Sequence, residues 1–209
     1  MGLDMYLEVR RSTYLPKGKR TIDLDNLKEN FDNYFDDEFG CSNSVEIVEQ
    51  VGYWRKANAI HHWFVDNVQE GVDECQTSYV SIKDLDKLLG LCNGVLDRIE
   101  GCKFVLSEES KKYCTKFKDS FVFHKKNIKD IFTNGGLWNY EIAVPKEAIE
   151  FINENLPPHK GFFFGTTEIN GNYFYDIIKT VLIIKRLKKM MNNWKKDKVY
   201  ADITYHASW

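Results

Sequence analysis

The stretch Tyr53-Trp54-Arg55-Lys56-Ala57-Asn58-Ala59-Ile60-His61-His62-Trp63-Phe64-Val65-Asp66-Asn67-Val68 decides how this chain is read. Wound at about 100° per residue, it places Trp54, Ala57, Ile60, Phe64, Val65 and Val68 on one apolar face with His61 near its middle. The run is therefore expected to be one amphipathic helix with His61 turned into the core. The same winding stacks Arg55, His62 and Asp66 on a separate polar stripe, since residues three and four apart are helix neighbours. Trp63 falls opposite the apolar centre, so it must meet a second layer, another chain or a ligand. His61 and His62 diverge by about 100° and cannot close on one ion, so the pair does not read as a metal site.

Working outward, Leu3, Met5, Leu7 and Val9 alternate with polar or amphipathic residues, the period-two signature of a half-buried strand. The segment from Val199 to Tyr205 alternates in the same way and is expected to be a strand near the other end. Between them, helices are expected over Asp23 to Phe39, from Ile82 onward with Ser81 as N-cap and Asp84 three residues later, from Pro145 to Asn153, and through Tyr173, Ile177, Val181, Ile184, Leu187 and Met191. Gly161-Phe162-Phe163-Phe164-Gly165 reads as a short buried strand, with Thr166 or Thr167 opening the polar turn to the last helix. Terminal strands with central helices imply an α+β fold: one domain over residues 1–209, with a small mixed or antiparallel sheet that includes both terminal strands. Residues 103–154 are Lys-rich and weakly periodic, contain the turn signal Asn134-Gly135-Gly136, and read as an insertion expected to be dispensable for folding.

Composition excludes several classes. The chain has 209 residues, 43% of them hydrophobic and 14% aromatic, and a formal charge of −2, so neither disorder nor a large electrostatic pull toward nucleic acid follows from the totals. The dense basic runs Lys185-Arg186-Leu187-Lys188-Lys189 and Lys195-Lys196 read as the solvated side of an amphipathic helix, and nucleic acid is not the favoured partner. Five cysteines, Cys41, Cys75, Cys92, Cys102 and Cys114, show no CxxC pair and no zinc-finger spacing, and read as reduced thiols of a cytosolic protein. No apolar run of membrane-spanning length occurs, and the first residues lack the pattern of a signal peptide or of myristoylation. Neither a cofactor nor a metal is called for.

Four blocks are more specific: Met1-Gly2-Leu3-Asp4-Met5-Tyr6-Leu7, Gly52-Tyr53-Trp54-Arg55-Lys56-Ala57-Asn58 through Val68, Gly161-Phe162-Phe163-Phe164-Gly165-Thr166-Thr167, and Tyr205-His206-Ala207-Ser208-Trp209. Together they resemble a family of small proteins encoded by bacteriophages and prophages. The chain departs from that family in the segment Gly101 to Glu154, which looks like an addition to a shorter form, and at Asn170-Gly171, where an acidic-aromatic turn is expected. The resemblance implies a product of a mobile element at work in the cytoplasm of a bacterial host, where such accessory proteins inhibit or redirect host systems, antiviral defence included.

Two function classes follow. In the first, the chain antagonises a host system by binding a host protein or by sequestering a phosphorylated small molecule. In the second, it is a small enzyme on a nucleotide-like substrate, with His62 as acid or base, Asp66 orienting it and Arg55 holding phosphate. The candidate ligand-binding residues are Arg55, Asn58, His62, Trp63 and Asp66, together with Gly165, Thr166 and Thr167, where backbone N–H groups before a helix can meet phosphate. No Gly-x-Ser-x-Gly, His-Glu-x-x-His or P-loop signature is present.

Overall fold

A computed structural model of the chain describes residues 2–12, 46–113, 117–133, 137–161, 165–197 and 201–209. Strand β1 (Asp4–Ser12) runs antiparallel to β2 (Glu46–Arg55) on one side and to β7 (Asp202–Ser208) on the other, and β7 also pairs with the short β3 (Ser78–Tyr79). The order β2-β1-β7-β3 is antiparallel throughout, and it places both expected terminal strands side by side. Its inner face is the alternation seen in the sequence: Leu3, Met5, Leu7 and Val9 are buried, and across the register Ala207, Tyr205 and Ile203 lie opposite Met5, Leu7 and Val9. A second sheet, β5 (Ser120–Val122), β4 (Lys103–Leu106) and β6 (Tyr140–Ile142), is also antiparallel.

Six helices occur among the described residues: α1 (Asn58–Val68), α2 (Ile82–Arg98), α3 (Glu108–Lys111), α4 (Ile128–Thr133), α5 (Lys146–Asn155) and α6 (Gly171–Asp197). Together with the two sheets they make an α+β fold. Ser81 caps α2 as expected: its hydroxyl accepts from the Asp84 N–H, and the Asp84 carboxylate accepts from the Ser81 N–H. The 27-residue α6 is the spine of the molecule, touching α1, α2, α4, β2, β6 and the turn before β6. At its centre the Trp54 indole N–H donates to Thr180 Oγ1 at 2.9 Å, which fixes β2 on the helix. Lys188 of the basic run pairs with Asp86 on α2 while Leu187 is buried; the side chains of Lys195 and Lys196 lie outside the described residues.

Two sequence expectations are corrected. First, the helix does not begin at Tyr53. Residues Tyr53, Trp54 and Arg55 complete β2, Lys56 turns the chain with a φ of 59°, and α1 starts at Asn58. Trp54 is buried because strand alternation turns it inward, and Arg55 therefore points the other way. Second, residues 103–154 are not peripheral. Phe104, Leu106, Phe123, Ile128, Leu137, Tyr140, Ala148 and Ile152 join the same buried cluster as β1 and α6. Thr166 opens the polar turn before α6, its hydroxyl accepting from the Glu168 N–H at 3.1 Å, and Asn170 caps the helix, its side-chain oxygen accepting from the Asn172 N–H at 3.0 Å. The expected helix over Asp23 to Phe39, the Asn134-Gly135-Gly136 turn and Phe162 to Phe164 lie outside the described residues, as do Cys41 and Cys114; Cys75, Cys92 and Cys102 are free thiols.

Candidate functional site

The start of α1 separates two openings. The first is a cleft of about 470 Å³ between that start and the cleft-facing side of α6. Arg55, Lys56, Gly165 and Thr166 line it together with Ala57 to Ile60, and α6 contributes Asn172, Tyr175, Asp176 and Lys179. Trp138, on the turn Leu137–Asn139, stands 54% exposed at its edge with its ring 5.1 Å from that of Tyr175 in a T-shaped contact. The volume falls within the range of small-molecule sites.

The start of α1 is itself unusual. Its N-cap is Ala57, which makes no side-chain cap, and the Ala59 and Ile60 N–H groups find no acceptor among the described residues. Most helices satisfy these donors with Ser, Thr, Asp or Asn at the cap. Ala59 and Ile60 both line the cleft, beside the cations Arg55 and Lys56. Arg55 and Lys56 make no ion pair with any described residue. Lys56 holds its left-handed conformation between two glycines: a Cβ on Gly2 or on Gly165 would approach the Lys56 side chain to 3.3 Å. A non-glycine residue in this region costs about 1–2 kcal/mol.

On α6, Lys179 lies 5.3 Å from the Tyr53 ring and 5.8 Å from the Tyr175 ring, and burial holds its ammonium below the usual lysine value, with Asp176 opposing. The Asp176 carboxyl is half-buried and accepts no hydrogen bond from the described residues; desolvation pushes its pKa up to about 7, against the pull of Lys179. None of Asn172, Tyr175, Asp176 and Lys179 was singled out from the sequence. Their spacing of three, four and seven residues puts them on one helical stripe, a signal masked by the stronger apolar periodicity of the same helix.

The second opening is a groove of about 490 Å³ lined by His62, Asp66, His159, Lys160 and Trp209, with His61 and Asp73 beneath. His62 and Asp66 meet as the helical stripe requires, Nε2 to Oδ2 at 3.3 Å, and the His62 ring stacks on that of His159 at 3.9 Å. Burial, and then the neighbouring His159, hold the His62 imidazole below its ordinary value, while Asp66 acts in the opposite sense. Arg55 is not in this groove, so the structure does not gather Arg55, His62 and Asp66 into one site. Among the described residues no group of three or more His, Cys, Asp or Glu is arranged to hold a metal ion. No helix among them is long and apolar enough to cross a membrane.

The remaining candidates fall out as follows. Asn58 is a buried clamp: its Nδ2 donates to the Thr166 carbonyl at 2.8 Å and its Oδ1 accepts from the His159 N–H at 3.2 Å, so one side chain fixes a residue of each opening. Trp63 is buried with its edge to Phe64, in the second layer. Thr167 is exposed and does not line the cleft, whereas Gly165 and Thr166 do. His61 is 1% exposed, as the sequence implied. The Asp73 carboxylate accepts from Nε2–H at 3.0 Å, and Nδ1 lies 2.7 Å from the Tyr205 hydroxyl.

Removing that imidazole leaves the buried Tyr205 hydroxyl without its ring partner. His61→Ala is therefore expected to lower stability by about 1–3 kcal/mol, and His62→Ala, on the groove wall, by much less. Chemical denaturation of the two variants checks this, and equal midpoints would contradict it.

No protein-family model, curated protein or solved structure matches the chain.

Proposed function

We propose that the chain is a bacteriophage- or prophage-encoded accessory protein that binds a phosphorylated, ring-bearing small molecule in the cleft at the start of α1. In its biological setting that binding sequesters the molecule from a host system, antiviral defence being the leading case. The observation that carries the reading is the uncapped helix start, with two free N–H groups and the cations Arg55 and Lys56, opening into a cleft edged by Trp138. A helix N-terminus with unsatisfied donors favours an anion, Arg offers a planar fork to phosphate, and an indole edge suits a flat ring.

Support for the setting comes from where the four blocks of the family resemblance lie. Gly2, Lys56 and Gly165, one from each of three blocks, meet at the turn before α1, and Tyr205 of the fourth bonds to His61 on that helix. The rival reading as a binder of a host protein draws less support, because the polar groups line a concave space. The enzyme reading required Arg55 beside His62 and Asp66, and these line different openings.

Two substitutions separate ligand binding from folding. Arg55→Ala is expected to abolish binding and leave the unliganded thermal midpoint unchanged. Lys56→Gly is expected to weaken binding while raising stability by about 1 kcal/mol, because glycine adopts the left-handed turn without strain. Thermal shift with mononucleotides, dinucleotides and cyclic oligonucleotides is the assay, since a ligand at a hundred times its Kd adds about 2.7 kcal/mol to the native state. A panel that leaves the wild type unshifted would end the small-ligand reading and favour a protein partner.

A further inference from the structure

The cleft contains one group that anion binding does not use. Asp176 places a half-buried carboxyl among the lining residues, on the same stripe of α6 as Asn172 and Lys179 and next to Tyr175, against which Trp138 packs. Among the described residues no group donates a hydrogen bond to it: Lys179 acts on it through its charge, and no ion pair joins the two. A carboxyl that lines a cleft without a protein donor is left to solvent there, and its oxygens are open to the donors of a molecule that enters. A carboxylate accepts through two oxygens and donates through neither, so its natural partner is a pair of adjacent N–H donors.

Resting on the reading of the cleft as a nucleotide site, we propose that the ring seated against Trp138 is a guanine, and that Asp176 is the specificity residue that reads it. Guanine presents N1–H and the exocyclic N2 amino group side by side on one edge, two donors matched to two carboxylate oxygens. Adenine presents one amino group beside a ring acceptor, which would set that acceptor against a carboxylate. The phosphate then lies toward Arg55, Lys56 and the start of α1, and the base toward α6 and Trp138, at opposite ends of the same cleft. Asn172, one turn earlier on the stripe, has both a donor and an acceptor and does not discriminate between the bases.

The test is calorimetric titration of the full chain with guanosine 5′-monophosphate and adenosine 5′-monophosphate at pH 8, where the carboxyl is ionised. The wild type is expected to bind the guanine nucleotide at least about tenfold more tightly, the scale of a charge-assisted hydrogen bond gained against one lost. Asp176→Asn should erase that preference, and Asp176→Glu should retain part of it. Folding of the Asn variant is checked independently: its thermal midpoint should match the wild type near pH 4 and exceed it at pH 8. The sign follows from the direction of the shift. A folded-state pKa raised above the unfolded value means that the wild type loses stability as pH rises from the ordinary carboxyl range through about 7, and Asn carries no charge to desolvate.

Equal affinities in the wild type, an adenine preference, or a guanine preference that survives in Asp176→Asn would each overturn the assignment of Asp176 while leaving the nucleotide site standing. Absence of binding by either nucleotide would instead remove the site itself, and this inference with it.

Discussion

Excision of residues 103–154, with Cys102 joined to Asn155 through a short Gly/Ser linker, is expected to abolish cooperative folding. The segment buries Phe104, Leu106, Phe123, Ile128, Leu137, Tyr140, Ala148 and Ile152 in the common core. Each large side chain contributes about 1.5–3 kcal/mol on burial, whereas a whole domain is stable by only about 5–15 kcal/mol. The excision also strips the facing surfaces. Phe104 sits edge-on to Phe174 of α6 with ring centroids 6.0 Å apart, and just beyond the segment's helix face the Arg98 guanidinium of α2 lies 3.8 Å above the Phe151 ring. Circular dichroism during thermal or denaturant unfolding reads the outcome, and a single sharp transition in the shortened chain would show that the segment is separable after all. The weak periodicity of this region reflects short elements: strands of three or four residues cannot display a long pattern, although β4 still alternates, with Phe104 and Leu106 buried and Lys103 and Val105 exposed.

How far the sequence carries depends on whether local pattern or distant pairing sets the conformation. Leu3 to Val9 alternates because its inner face is buried and its outer face is not, so β1 was legible. Ser81 and Asp84 satisfy each other locally, so the start of α2 was legible too. Tyr53 to Arg55 was not. Trp54, Ala57 and Ile60 fall at helical spacing, and the break between strand and helix sits at a lysine rather than at a glycine or proline that would have announced it. What makes those residues a strand is their ladder to β1, with Trp54 opposite Met5 and Arg55 opposite Asp4, a pairing with no local signature. That single misplacement joined Arg55 to His62 and Asp66 on one imagined stripe. The true companions of Arg55 in the cleft come from Gly165 and Thr166, from Trp138 and from α6, more than eighty residues away along the chain.

Gly171→Ala is expected to be among the most damaging single substitutions in the molecule, by about 3 kcal/mol or more, the scale of severe overpacking against atoms that cannot yield. A Cβ built at this position lies 2.0 Å from the Leu137 carbonyl oxygen and 2.6 Å from that of Tyr140, and both are backbone atoms. Local propensity points the other way, since Ala in the first turn of a helix is ordinarily favoured over Gly. Gly90 on α2 provides the opposite case: nothing lies within 4 Å of its Cβ position, and Gly90→Ala should stabilise by about 0.5–1 kcal/mol through helix propensity alone. The contrast between two glycine-to-alanine changes at helical positions isolates the steric term. Gly171 also bears on the site, because the turn it presses against carries Trp138. Relief of the clash must move α6 away from Leu137–Asn139, which parts Trp138 from Tyr175 and opens the cleft where the ring is proposed to sit. If the cleft binds a nucleotide as proposed, that binding should fall in Gly171→Ala even at temperatures where the variant remains folded, with the loss greatest for the base and least for inorganic phosphate. Unfolding midpoints together with calorimetric titration of guanosine 5′-monophosphate and phosphate decide the matter, and a variant as stable as the wild type would mean that the start of α6 is not docked as tightly as these distances require.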